Sequence, residues 1–222
     1  MRHWQVPGCA VGVVERGRVI HAKGYGLSDS KRGTPADEHT GFIIASCTKS
    51  FTATSVGILV DEGALDWDKP VRKYWPSFRM HDPVVSERMT PRDLLSHRCG
   101  LPRHDWAWFN SLVSTAELCR RLRHLRPSKD FRELYQYNNL MYMAAGFLIE
   151  QVTGLTWEQF VQKRLLDPVG MRDTRVVTDG TFGSYALATP HTREGARVFP
   201  ALRGWLRKAG LVSLYGPVAP AG

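Results

Sequence analysis

Near the start of the chain two apolar runs, Cys9-Ala10-Val11-Gly12-Val13-Val14 and Val19-Ile20-His21-Ala22-Lys23-Gly24-Tyr25, flank the polar Glu15-Arg16-Gly17-Arg18. Short β-branched runs on either side of a Gly-bearing turn predict a β-hairpin over about 9–26. A Gly-, Asp- and Pro-rich stretch to Thr40 predicts a solvated loop. After Phe42-Ile43-Ile44-Ala45 the pattern becomes helical, and a long buried helix is predicted from Ser46 to about Gly63.

Later boundaries are marked by capping residues. Thr90-Pro91 places an N-cap before a proline at the first helical position, predicting a short helix from Arg92 to His97 that halts before Gly100-Leu101-Pro102. Ser114 and Glu117 form a capping-box pattern, with Leu118, Leu122 and Leu125 following at helical spacing. Asn139 opens an apolar run to Ile149 that Gly154 closes, and Thr156 with Gln159 caps a further helix through Leu166. The expected organisation is one domain over 1–222: a hairpin at about 9–26, a helical block at about 46–170, and an irregular tail of loops and short strands over 171–222. A lone hairpin is not a stable sheet, so further strands are expected beyond this chain.

Composition narrows the classes. With 43% hydrophobic side chains over 222 residues the chain can bury a core. No apolar run is long enough to span a membrane, and the first residues lack the apolar stretch of a signal peptide. The net charge of +9 raises the question of nucleic acid, and Arg120-Arg121-Leu122-Arg123-His124-Leu125-Arg126 is the densest basic run. Its leucines sit at helical spacing, so the arginines read as the wet face of an amphipathic helix, and no nucleic-acid motif accompanies them. The four cysteines show no metal-ligand spacing, and no metal or cofactor is expected.

Chemistry centres on Ser46-Cys47-Thr48-Lys49 at the head of the first long helix. Ser and Lys three apart on a helix share a face, so the amine can take the proton of the hydroxyl nucleophile. The pattern alone is weak, since Ser28-Asp29-Ser30-Lys31 also fits it within the expected loop. Cys47, rotated about 100° from Ser46, is expected to be a small buried filler. Lys49 must shed or relay a proton, which an apolar setting favours. Tyr137-Asn138-Asn139 brings a phenol and amides to the mouth of the next apolar helix. From there the phenol can pass protons and the Asn139 amide can hold Lys49 or a substrate carbonyl.

Five segments occur in order: Ile44-Ala45-Ser46-Cys47-Thr48-Lys49-Ser50-Phe51-Thr52-Ala53, Leu65-Asp66-Trp67-Asp68-Lys69-Pro70-Val71, Thr90-Pro91-Arg92-Asp93-Leu94-Leu95-Ser96-His97, Gly100-Leu101-Pro102-Arg103-His104-Asp105 and Tyr137-Asn138-Asn139. Together they resemble the serine β-lactamase/penicillin-binding-protein family, on the branch of class C β-lactamases, D,D-peptidases, D-aminopeptidases and β-lactamase-fold esterases. The resemblance implies an α+β fold with a helical subdomain and an antiparallel sheet whose C-terminal strands are missing from this chain. It implies Ser46 as acylated nucleophile, Lys49 as partner base, Tyr137 as base or proton shuttle and Asn139 as substrate-positioning amide. His97 and His104 receive no catalytic part from it. It also implies a periplasmic or secreted setting and a small-molecule or peptide substrate: an ester, a D-amino-acid peptide or a β-lactam.

The family's third motif, Lys-Thr-Gly or His-x-Gly, has no good match. Lys208-Ala209-Gly210 lacks the hydroxyl, and His191-Thr192-Arg193 lacks the glycine. The chain therefore reads as an N-terminal portion of a serine hydrolase. The alternative is a catalytically impaired relative that binds a ligand or partner.

Overall fold

The computed structural model describes residues 1, 3–108, 113–176, 186–189 and 218–219. It comprises two compact units, one built from Met1–Ser46 with the described residues from Gly170 onward, the other from Cys47–Val169.

In the first unit, β1 (Gly8–Glu15) and β2 (Arg18–Asp29) form the expected antiparallel hairpin, in register from Gly8 opposite Gly26 to Glu15 opposite Arg18. Both turn residues, Arg16 (φ 50°) and Gly17 (φ 76°), lie in the left-handed region, as a tight two-residue hairpin turn requires. β2 runs past the predicted loop boundary and pairs with β3 (Thr34–Pro35). The second Ser-x-x-Lys match is corrected accordingly. Ser28 is buried at the end of β2, where its hydroxyl donates to the carbonyls of Thr34 (3.3 Å) and Pro35 (3.1 Å), and only Ser30 and Lys31 lie in an exposed turn. Ser28 lies at the end of a strand and Lys31 in the turn beyond it, so no serine–lysine pair forms on a helical face. Gly41 bridges Leu187, and β4 (Arg175–Val176) pairs with β5 (Val218–Ala219).

The second unit is helical. Its helices are α1 (Thr48–Asp61), α2 (Pro83–Arg88), α3 (Pro91–Leu95), α4 (Thr115–Arg121), α5 (Asn139–Thr153) and α6 (Trp157–Val161). α5 packs against α1, α3, α4 and α6, and ten of its fifteen residues are buried, as suits a helix apolar almost all round. Met141, Ala144, Leu148 and Ile149 are all buried on it.

The capping residues act largely as expected. Thr90/Asp93 and Thr156/Gln159 each form a full capping box, and Gly154 (φ 71°) closes α5. At α4 only half the box forms. The Ser114 hydroxyl accepts from the Glu117 N–H at 3.3 Å, while the Glu117 carboxylate turns outward to Arg120 and to Arg121 (2.6 Å). Two guanidinium partners outcompete one backbone N–H for the carboxylate. Leu118 and Leu122 are buried and Arg120, Arg121 and Arg123 exposed, the amphipathic arrangement predicted from the basic run. Among the described residues no helix is long and apolar enough to cross a membrane.

Candidate active site

A 3-10 turn over Ala45–Cys47 leads directly into α1, and Ser46 is its middle residue, exposed to solvent. Ala45 has φ 44°, a left-handed conformation that its Cβ disfavours by about 1–2 kcal/mol. Such outliers cluster at functional sites. The α-helix proper begins at Thr48, whose side chain takes the buried position, and Cys47 is exposed. That corrects the expectation of a buried Cys47, because a reckoning at 100° per residue does not hold through a 3-10 turn.

Lys49 lies on the buried face of α1 with Thr52, Val56 and Leu59 and is only 8% exposed. Its ammonium donates to Asn139 Oδ1 at 2.8 Å. The same Nζ lies 4.9 Å from the ring centroid of Tyr137 and 5.4 Å from that of Tyr142, within cation–π range of both. Lys49, Tyr137 and Asn139 are thus brought together within the helical unit, and Ser46 is the residue that immediately precedes that unit in the chain.

The tandem asparagines divide two tasks. Asn138 is the N-cap of α5: its Oδ1 accepts from the Met141 N–H (3.1 Å), and its amide donates to the Pro102 carbonyl (2.5 Å). Asn139 occupies the first helical position, and its side chain reaches Lys49.

Beneath Tyr137 lies His97, 7% exposed and itself at φ 57°. Its Nδ1 accepts from the Asn138 N–H at 3.1 Å, and its carbonyl accepts from the Gln136 N–H at 2.6 Å. Its ring is 4.4 Å from that of Tyr137 and 5.1 Å from that of Tyr142. Burial, then the nearby charge of Lys49, holds the imidazole below the ordinary histidine pKa. Burial likewise pushes the Tyr142 phenol up, and its hydroxyl donates to the Leu95 carbonyl at 2.8 Å.

The loop preceding Tyr137 is anchored by a buried carboxylate. Asp93 on α3 accepts from Arg98 (2.9 Å) and from Arg132 (2.9 and 2.7 Å), and also caps its own helix through Thr90. Burial alone would raise the Asp93 pKa, but the hydrogen bonds from Arg132 and Thr90 outweigh it and hold the carboxyl below its usual range. Gly100 (φ 81°) lets the same loop approach closely, since a Cβ there would lie 2.2 Å from the Lys129 carbonyl.

Residues 1–218 match the family model described as Beta-lactamase. The chain belongs to the Beta-lactamase family. Beta-lactamase-family relatives include the unguisins hydrolase ungD of Aspergillus violaceofuscus, 31% identical over 88% of this chain and 36% of that protein. Protein flp of Staphylococcus aureus strain MW2 is 30% identical over 76% of this chain and 34% of its own length. The chain spans about a third of the length of these curated relatives. Among solved structures, the octameric penicillin-binding protein homologue from Pyrococcus abyssi superposes with a TM-score of 0.77 at 25% identity, covering 100% of this chain and 51% of that one. D-amino acid amidase from Ochrobactrum anthropi SV3 complexed with L-phenylalanine gives 0.78 at 25% identity, covering 99% and 65%. The fold is therefore the β-lactamase/penicillin-binding-protein fold, in a family of hydrolases.

The two third-motif candidates, Lys208-Ala209-Gly210 and His191, lie outside the described residues. Two residues the motif reading passed over, Tyr142 and Arg103, also border the site, Arg103 lying 5.3 Å over the Tyr137 ring. Tyr142 was within reach of sequence reasoning, since it follows Asn139 by three positions on one helix and shares its face. Arg103 approaches through an irregular loop and leaves no periodic signal.

Proposed function

We propose that this chain carries the nucleophile of a serine hydrolase that cleaves ester or amide bonds through a covalent acyl-Ser46 intermediate. The observation that carries the reading is the buried Lys49 held at 2.8 Å by Asn139 beside the Tyr137 ring. A lysine held by the Asn139 amide three positions after Ser46 is placed to take the hydroxyl proton. Ser46 Oγ attacks the carbonyl carbon as its proton passes to the neutral amine form of Lys49, directly or through Tyr137. The backbone N–H of Ser46 stabilises the oxyanion. Collapse expels the alcohol or amine, which takes up that proton, and water then hydrolyses the acyl ester.

Amides and esters bearing a D-amino acid are the proposed substrates. Support comes from the D-amino acid amidase likeness and from the relative whose name describes a hydrolase of unguisins. The test is labelling with a fluorescent fluorophosphonate and a fluorescent penicillin. Labelling of the wild-type chain that disappears in Ser46→Ala supports the enzyme. Absence of Ser46-dependent labelling with both probes overturns it in favour of a ligand-binding relative.

A further inference from the structure

We propose that His97 is a positioning residue whose neutral imidazole sets the Gln136–Asn139 segment, so that acid protonation of this ring switches off the chemistry at Ser46. The inference rests on the hydrolase reading of this site and adds a control to it.

Three contacts carry it. The Asn138 N–H points at His97 Nδ1 (3.1 Å), and an N–H donor requires an unprotonated nitrogen there. The neutral ring therefore carries its hydrogen on Nε2. The His97 carbonyl takes the Gln136 N–H at 2.6 Å, so one residue accepts from both sides of Tyr137. The ring itself lies against Tyr137 at 4.4 Å, with Tyr142 at 5.1 Å and Tyr135 edge-on at 5.4 Å. Position 97 also holds a left-handed φ of 57°, which histidine and asparagine tolerate better than most residues.

Protonation changes two things together. Nδ1 becomes a donor facing the Asn138 N–H, which loses its acceptor at the N-cap of α5. A second cation also enters the aromatic cluster that holds Lys49. The groups facing the ring are Lys49 from α1, Tyr135 and Tyr137 from the preceding loop, and Tyr142 from α5. Arg103, 5.3 Å from the centre of the Tyr137 ring, and the Asp93–Arg98–Arg132 cluster are the next charges. Lys49 opposes protonation, and no carboxylate contacts the ring among the described residues.

The experiment follows the rate of Ser46 labelling against pH in the full chain, for wild type, His97→Asn and His97→Leu. Asn places Oδ1 where Nδ1 was, keeps an acceptor and does not titrate. The wild-type rate should fall on an acid limb below the ordinary histidine pKa of about 6.5. His97→Asn should remove that limb while keeping the plateau within about tenfold, and His97→Leu should lower the plateau by about a hundredfold. An acid limb that persists unchanged in His97→Asn overturns the inference. Ring-nitrogen NMR reads the same contact without activity. A ring protonated at Nδ1 at neutral pH, or an Asn138 amide signal that ignores His97 titration, overturns the inference even if no variant folds. Loss of Ser46-dependent labelling at every pH overturns the hydrolase reading instead and leaves the NMR result to judge His97.

Discussion

Lys49 Nζ and Asn139 Oδ1 are 2.8 Å apart, joining the first turn of α1 to the first turn of α5 across ninety positions of sequence. The amide oxygen fixes where the ammonium sits, and the ammonium fixes the amide. The bond aims the lysine, while the rings of Tyr137 and Tyr142 also face its Nζ.

Asn139→Ala should therefore slow Ser46 labelling by about a hundredfold with modest loss of stability, because the capping function belongs to its neighbour. Asn138→Ala should do the reverse, costing about 1–2 kcal/mol as the cap is lost. Paired labelling kinetics and thermal melts of the two variants check this division. Equal loss of rate in both would contradict it.

Asp93→Ala leaves two arginines facing a buried vacancy. Asp93 is fully buried, whereas the Arg98 and Arg132 side chains are 37% and 34% exposed and partly screened. A destabilisation of about 2–4 kcal/mol is expected, read from urea unfolding. Since Arg132 leads into the Tyr137 segment, labelling of the folded fraction should also slow.

Thr52 is completely buried on α1, and its hydroxyl has no hydrogen-bond partner among the described residues. Valine has nearly the same shape without the polar atom. Thr52→Val should raise stability by about 1 kcal/mol, or about 2–4 °C in melting temperature for a chain of this size. A lower melting temperature would mean the hydroxyl has a partner after all.

Stability should fall with acid in two windows. His97 is held below its ordinary value, so the unfolded chain binds the proton more readily. Its contribution is complete above about pH 6.5 and is lost as pH falls through the lower folded value. Asp93 is also held low, so its contribution is complete above about pH 4 and is lost on further acidification. Unfolding free energy measured against pH should lose the upper step in His97→Asn and the lower one in Asp93→Asn.

Much of this was legible from local rules. The hairpin turn, the caps at Thr90, Thr156 and Gly154, and the entry into α1 follow from residues within a few positions of one another. The structure departs from the local pattern where a competing contact, near or far in sequence, overrode it. β3 and Thr189 draw Ser28 into a sheet, and two arginines pull Glu117 away from its cap.

By itself the sequence determined the fold family, the helical placing of Lys49, and the presence of an asparagine pair at the head of α5. Periodicity, capping and ordered motifs are properties of neighbouring residues. Tertiary structure decided which asparagine caps and which holds the lysine, and it turned His97 from the end of a predicted short helix into a partner of Tyr137. Those assignments depend on distances between side chains some forty to ninety positions apart, which only the packing of α1, α3 and α5 brings within hydrogen-bond reach.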